Sequence, residues 1–313
     1  MRTRRLAALA ALLAVAGAWT AQPSAQRGGR GANTDAIRRK TLDVAYAGAS
    51  PAQKLDLYLP NEGDGPFPVI VHIHGGAFRS GDKADGQLTP VLQALDRGYA
   101  VASINYRLSG EAIFPAQIHD VKAAIRWLRA HAAEHKLNPS AVAAWGGSAG
   151  GHLAALAGTS GGVAALEDLS MGNPKESSRV QAVVDWFGPV NFLTMDEQFT
   201  KSGIGRADHN AVQSPESQLI GRQLTAAPDA VKAASPETYV SPDDPPFFIQ
   251  HGTRDPLVPT EQSIDFSGRL VKVLGRDKVT LTLLDGAGHG GPMFSAADNM
   301  AKVLAFLDGV LKK

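Results

Sequence analysis

The sequence of 313 residues contains no cysteine, and this absence excludes several kinds of protein. Without cysteine there can be no disulfide, no cysteine-ligated metal centre and no lipid-anchored N-terminal cysteine, so the fold must be held by its core alone. An excess of charge is also missing, because 31 Lys and Arg balance 30 Asp and Glu. The composition therefore gives no support for a nucleic-acid partner or an anionic-membrane partner.

Long hydrophobic runs are absent apart from one near the N-terminus. The run Leu6–Ala18 follows Arg2, Arg4 and Arg5, and its 13 residues are too few to cross a bilayer core, which needs about 20. The charged, apolar and small-residue regions together predict a secretory signal peptide over residues 1–25. We therefore expect export to the periplasm or the medium, by the general or the twin-arginine route, with no stable membrane anchor.

The rest of the chain is predicted to be one domain. Residues 26–40, rich in Gly and Arg at their start, predict a flexible leader, and residues 41–313 predict an α/β domain. Strands and helices alternate, which predicts a mostly parallel sheet with helices on both faces. The expected strands lie near 41–46, 54–59, 69–73, 100–105, 141–145, 180–187, 246–251 and 278–284, and the longer helices at 115–131, after 150, at 260–274 and from 295.

A serine between glycines lies where a buried strand is expected to meet a helix. The apolar run Ala141–Trp145 is typical of a strand buried on both faces, and helical spacing resumes after Gly150. Between them, Gly146-Gly147-Ser148-Ala149-Gly150 fits the strained turn that exposes a nucleophilic serine, with glycines keeping side chains out of the turn. Ser148 is therefore the candidate nucleophile.

A second glycine-rich loop follows the strand 69–73 and could stabilise an oxyanion. Bare N–H groups aimed at a developing negative charge serve this purpose in hydrolases, and we expect Gly75, Gly76 and Ala149 to donate them. His74 is expected to anchor this loop by hydrogen bonding. His72 and His74 share one strand face and could form a metal pair, but no third ligand stands at a recognisable spacing, so we expect no metal.

Two later loops can supply a base and its carboxylate. Asp255 follows the strand 246–251, and His289 lies in a glycine-rich loop after the strand 278–284. The chain order Ser148, Asp255, His289 is the order of α/β-hydrolases. Asp185, at the end of the strand 180–187, is the alternative acid.

Six segments together resemble a known superfamily. The chain is similar to α/β-hydrolases of the esterase/lipase group, and most similar to bacterial feruloyl-esterase-like and acetylxylan-esterase-like proteins, from about residue 41 to the C-terminus. The resemblance implies a serine ester hydrolase without metal or organic cofactor, but the acyl specificity does not transfer. The related hormone-sensitive-lipase-like esterases often have a third glycine where this chain has Ala77. The matching segments are 74–78, 105–108, 146–150, 184–189, 251–255 and 286–290.

Other patterns in the sequence have plainer structural explanations. Gly286, Gly288 and Gly291 outline a dinucleotide fingerprint, but too few residues follow for the βαβ unit that such a site requires, so we expect no nucleotide cofactor. Asp120 and Arg107 are expected to be structural. The remaining histidines without a motif are expected to lie at the surface or in the core: His119, His131, His135, His152 and His209.

The pattern breaks between residues 191 and 241, where polar and glycine-rich pieces predict a small cap over the pocket with helical stretches at 215–223 and 228–233. The function expected is an exported serine carboxylic ester hydrolase acting on short acyl or hydroxycinnamoyl esters of carbohydrates. Three alternatives remain: a lipase or general carboxylesterase, a prolyl-oligopeptidase-like peptidase, and a non-catalytic binding protein. The sequence leaves the oligomeric state open.

Overall fold

A computed structural model describes residues 31–312. An eight-stranded sheet runs through these residues in the order β1-β2-β4-β3-β5-β6-β7-β8. Strand β2 pairs antiparallel with both β1 and β4, and the pairs from β4 through to β8 are parallel. The strands are β1 Lys40–Ala45, β2 Lys54–Tyr58, β3 Phe67–Ile73, β4 Ala100–Ile104, β5 Leu137–Gly147, β6 Ala182–Trp186, β7 Phe247–Gly252 and β8 Val279–Leu284.

Helices connect the parallel strands. The α-helices are α1 Leu88–Val91, α2 Ala116–Ala130, α3 Ala149–Thr159, α4 Met195–Ser202, α5 Pro215–Ile220, α6 Pro228–Ala234, α7 Thr260–Leu274, α8 Pro292–Ser295 and α9 Ala297–Leu311. Short 3₁₀ helices lie at Leu92–Arg97, Ala164–Leu166, Leu169–Met171, Phe192–Thr194, Leu224–Ala226, Pro236–Thr238 and Arg276–Lys278. Within residues 31–312, no helix has the length and apolar character needed to cross a bilayer.

The sheet separates two hydrophobic clusters, because successive side chains of a strand point to opposite faces. In β3, Val69, Val71 and Ile73 join the cluster that contains residues of α2, α3 and α7. Ile70 joins the opposite cluster, with residues of α1 and α9. Each such fully buried aliphatic side chain contributes about 1.5–3 kcal/mol to folding. The mostly parallel sheet with helices on both faces confirms the fold class predicted from the sequence.

The observed elements differ from the predicted ones at several ends, and α4 was not predicted. Strand β5 extends four residues before Ala141. The prediction also missed α1 and the 3₁₀ turn after it, which form the crossover from β3 to β4. Both segments are short, and they contain too few turns for their apolar residues to show a helical period.

Part of the segment 26–40, predicted to be a flexible leader, lies within the described residues and contacts the rest of the domain. The N–H of Ala32 donates to the carbonyl of Ala84 at 3.0 Å, and the N–H of Arg38 donates to Asn61 Oδ1 at 2.8 Å. Ile37 packs against the second hydrophobic cluster. Ala32, Ile37 and Arg38 thus contact the domain, and the flexibility of the leader stays a prediction. The predicted signal peptide and residues 26–30 lie outside the described residues.

The glycines of the helices give a direct test of this packing. A Cβ on Gly158 of α3 would lie 2.5 Å from Val183 Cγ2 and 2.9 Å from Phe247 Cζ, so Gly158→Ala should overpack the core and lower the free energy of unfolding by about 1–3 kcal/mol. Gly268 of α7 is exposed and has open space around it, so Gly268→Ala should raise that free energy by about 0.5–1 kcal/mol. Urea denaturation of both variants checks the pair. Equal effects of the same sign would contradict the packing of α3 on β6 and β7.

Candidate active site

Ser148 lies in a sharp turn between β5 and α3. Its φ of 58° and ψ of −124° are unfavourable for a residue with a Cβ, so the surrounding packing must hold the turn in place. A Cβ on Gly146 would lie 2.2 Å from the carbonyl carbon of Gly150, and a Cβ on Gly150 would lie 2.0 Å from the carbonyl oxygen of Ile73. The two glycines are therefore required by close backbone contacts, as the sequence predicted.

His289 and Asp255 are hydrogen-bonded at the same edge of the sheet. Nδ1 of His289 lies 2.7 Å from Oδ2 of Asp255. Because a carboxylate only accepts, Nδ1 carries the proton and Nε2 of the neutral ring is left as the acceptor. The other carboxylate oxygen of Asp255 accepts the N–H groups of Leu257 at 2.8 Å and Val258 at 3.0 Å. The carboxylate is thus held from both sides.

A second histidine, His251, contacts the same carboxylate. Its Nε2 lies 3.2 Å from Oδ2 of Asp255 and 3.0 Å from the carbonyl oxygen of Val258, while its Nδ1 lies 2.7 Å from Ser263 Oγ. Burial raises the pKa of Asp255, but His289 and His251 outweigh that effect and hold the pKa well below its usual value. Asp255 is therefore ionised at neutral pH.

Asp185, the alternative acid, lies in a different environment. It is completely buried at the end of β6, and its Oδ1 accepts the N–H of Gly188 at 2.9 Å. Among residues 31–312, its Oδ2 has no hydrogen-bond partner. Burial raises the pKa of Asp185 to about 7, against the smaller lowering effects of Gly188 and His251. The structure thus brings Asp255, and not Asp185, to His289.

Phe187 supports the histidine from the side. Its ring centroid lies 4.6 Å from that of His289 and 4.7 Å from that of Phe294. The backbone of Phe187 has a φ of 44°, which costs free energy in a bulky residue and is maintained by this packing. Phe187 therefore limits the orientations open to the imidazole.

The loop after β3 requires a correction to the predicted oxyanion donors. The N–H of Gly75 donates to Gln87 Oε1 at 2.9 Å, so it is already engaged. Nε2 of Gln87 in turn donates to Asp85 Oδ2 at 2.9 Å. Gly75 therefore serves to fix the loop. This role could not be predicted from the sequence, because the partner of Gly75 lies 12 residues away on another turn.

The next two peptide groups of this loop offer their N–H groups instead. A trans peptide points its C=O and N–H in opposite directions. The carbonyl of Gly75 accepts Nδ1–H of His74 at 2.7 Å, and the carbonyl of Gly76 accepts the N–H of Ser80 at 3.1 Å. The N–H groups of Gly76 and Ala77 therefore point away from these bonds, and within residues 31–312 neither has a partner. His74 anchors the loop, as expected.

Ala149 lies at the start of α3, where an N–H has no carbonyl partner one turn earlier in the helix. Ala149, Gly76 and Ala77 all line one cavity of about 800 Å³, together with Ser148 and His289. Among the described residues no hydrogen bond joins Ser148 to His289; such bonds often form only when substrate is bound. The segment 208–216 of the predicted cap lines another part of this cavity.

Most of the other residues singled out in the sequence have structural roles. Asp120 accepts from Arg107 at 2.7 Å and from Gln53 at 2.7 Å. His72 Nδ1 lies 3.0 Å from Ser103 Oγ, and burial lowers the pKa of His72 to about 3. His209 differs from the expectation of a simple surface or packing histidine, because it lines the cavity.

The comparisons with known proteins agree with this geometry. The family model BD-FAE matches residues 55–270. The chain belongs to the BD-FAE family, within the esterase group of the α/β-hydrolases. A truncated carbohydrate esterase from gut microbiota has 34% identity and a TM-score of 0.80, covering 91% of this chain and 100% of that one.

Two further relatives are longer than this BD-FAE chain. The bifunctional GH43-CE protein of Bacteroides eggerthii has 38% identity and a TM-score of 0.76, covering 86% of this chain and 35% of that one. The probable carboxylic ester hydrolase LipM of Mycobacterium tuberculosis is 34% identical over 74% of this chain and 52% of its own length. The chain spans about half the length of the curated relatives that it matches, at 52% and 57% for two of them.

The two buried carboxyls of this BD-FAE domain give the first test of the site. We expect Asp255→Asn to lower kcat for 4-nitrophenyl acetate about 10⁴-fold, because an amide cannot hold the required imidazole tautomer. Asp185→Asn should cost less than about tenfold, because Asp185 does not contact His289. Circular dichroism provides the folding control. A severe Asp185→Asn effect beside a mild Asp255→Asn effect would place the acid on β6.

Gln87 gives the second test. Gln87→Ala removes the partner of the Gly75 N–H and should loosen the loop, lowering kcat roughly 10- to 100-fold with little change in KM, less than the loss of a whole oxyanion donor. The matched control is Gln93→Ala, which changes an exposed glutamine on the following turn. If freeing the Gly75 N–H raised kcat instead, Gly75 would be a donor to the oxyanion, as first predicted.

Proposed function

We propose that this chain is an exported carboxylic ester hydrolase that works through an acyl-enzyme on Ser148. The observation that carries the proposal is the convergence of three features on one cavity. They are the strained Ser148 turn, the His289 ring bonded to Asp255, and the oxyanion-loop N–H groups that have no partner within residues 31–312. Homologues named as esterases support the same chemistry.

The reaction follows from which atoms can move protons. Ser148 Oγ attacks the ester carbonyl while Nε2 of His289 takes its proton, and Asp255 stabilises the resulting imidazolium. The negative charge on the former carbonyl oxygen is met by the N–H groups of Gly76, Ala77 and Ala149. Nε2 then returns its proton to the departing alcohol, leaving the acyl group on Ser148. Water, deprotonated by His289, repeats the sequence and releases the acid.

We infer that the substrates are small acyl esters, acetyl or hydroxycinnamoyl, of carbohydrates. The segment 191–241 forms short helices of at most eight residues rather than a long apolar lid. The cavity wall carries charged side chains, among them Arg79 and Asp208, which suit a polar alcohol better than a lipid droplet. The carbohydrate esterases among the structural relatives support this class.

The proposal that the protein is exported rests on the N-terminal sequence pattern alone. The charged, apolar and small-residue regions of residues 1–25 fit a secretory signal. Cell fractionation with an antibody, and N-terminal sequencing of the product, test this part independently of the chemistry.

A substrate panel tests the proposed activity. We expect kcat/KM for acetyl-xylooligosaccharides, methyl ferulate or 4-nitrophenyl acetate to exceed that for emulsified triolein and for a peptide substrate by orders of magnitude. Ser148→Ala should lose on the order of 10⁶-fold in rate while keeping its thermal stability, because the turn accepts alanine. Preference for triolein, activation at an oil–water interface, or more than a few per cent of the rate in Ser148→Ala would contradict the proposal.

A further inference from the structure

Glu216 occupies an unusual position in the wall of the cavity that holds Ser148 and His289. It is the second residue of α5, whose start is fixed by Ser214 Oγ accepting the N–H of Ser217 at 3.0 Å. The side chain is nine-tenths buried, since Glu216 is only 6% exposed. The cap thus places a carboxyl group beside the cavity on a fixed helical turn.

One oxygen of the Glu216 carboxyl is buried without a hydrogen-bond partner in the described part of the chain. Among residues 31–312, Oε2 of Glu216 is buried and has no hydrogen-bond partner. Leaving a polar atom in this state costs about 1–3 kcal/mol, so the fold gains no stability from it. If this position served packing alone, an apolar side chain of the same shape would fill it without that cost.

The nearby basic side chains have other hydrogen-bond partners. Arg79 Nη1 donates to Gln218 Oε1 at 3.2 Å. His209 Nδ1 lies 3.2 Å from Asp196 Oδ1, and its Nε2 lies 3.1 Å from the carbonyl oxygen of Leu257. Within residues 31–312, neither group supplies a hydrogen bond to Oε2 of Glu216.

Its environment makes the protonated form more favourable than it is in a free glutamate side chain. Burial raises the pKa of Glu216, against smaller lowering effects of His209 and Arg79. A neutral carboxyl has one donor and acceptor capacity to spare, which matches a hydroxyl group, itself both donor and acceptor. The ionised carboxylate accepts a hydrogen bond from a hydroxyl as well, so either form can bind this group.

We propose that Glu216 is a specificity-determining residue that forms a hydrogen bond with a hydroxyl group of the substrate away from the scissile ester. This proposal rests on the proposed esterase function and adds the recognition of a hydroxylated substrate. The hydroxyl can belong to the carbohydrate alcohol or to the phenol of a hydroxycinnamoyl group. Sites built to bond a hydroxyl reject analogues that lack it.

The test compares three esters in wild type, Glu216→Met and Glu216→Gln. Acetyl-xylooligosaccharide carries sugar hydroxyls, methyl ferulate carries a phenol, and 4-nitrophenyl acetate carries neither. In Glu216→Met, we expect the kcat/KM ratio of one hydroxylated ester to 4-nitrophenyl acetate to fall about 10- to 100-fold, mainly through KM. Glu216→Gln should keep that ratio within about threefold, because an amide also donates and accepts. The ester whose ratio falls identifies the source of the hydroxyl.

The matched control is Glu197→Gln, which changes an exposed glutamate of the same cap. If Glu216→Met does not fold, Glu216→Asp, which withdraws the carboxyl by one methylene, should lower the same ratio. Unchanged ratios, or a parallel loss for all three esters, would overturn the proposal. Failure of the wild type to turn over any of the three esters would instead contradict the proposed function.

Discussion

The site depends on a backbone contact that leaves no room for side chains. Gly150 lies so close to β3 that an added Cβ would be 2.0 Å from the carbonyl oxygen of Ile73. The same approach brings Gly75 to Ser148, where a Cβ on Gly75 would lie 3.3 Å from the Cβ of Ser148. Strand β3, strand β5 and helix α3 thus hold the serine turn and the oxyanion loop as one unit. Parallel strands then deliver the loops of Asp255 and His289 to the same edge.

Two buried carboxyls near this edge have opposite electrostatic surroundings. Asp255 accepts two backbone N–H groups and contacts two imidazoles, which hold its pKa well below the usual value. Asp185 has one backbone donor, and burial raises its pKa to about 7. Such a separation of pKa values distinguishes the ionised orienting acid from a carboxyl that is only partly ionised near neutral pH. His251 contributes to this separation of pKa values, because its buried ring contacts the Asp255 carboxylate.

The sequence was informative where chemistry depends on local pattern. Ser148, Asp255 and His289 could be located because each follows a recognisable strand, and the fold followed from the alternation of strands and helices. Features that depend on distant contacts could not be predicted. Gln87 engages the Gly75 N–H from another turn, His251 meets Asp255 only after its strand is placed, and the packing of Ile37 requires the finished core.

The central claim is that His289, oriented by Asp255, makes Ser148 nucleophilic. The most direct measurement is the rate at which a fluorophosphonate labels the protein, with the labelled residue located by mass spectrometry. The account predicts one label per chain on Ser148 and a loss of labelling rate in His289→Ala on the order of a thousand-fold. Labelling of another residue, or an equal rate in His289→Ala, would contradict it.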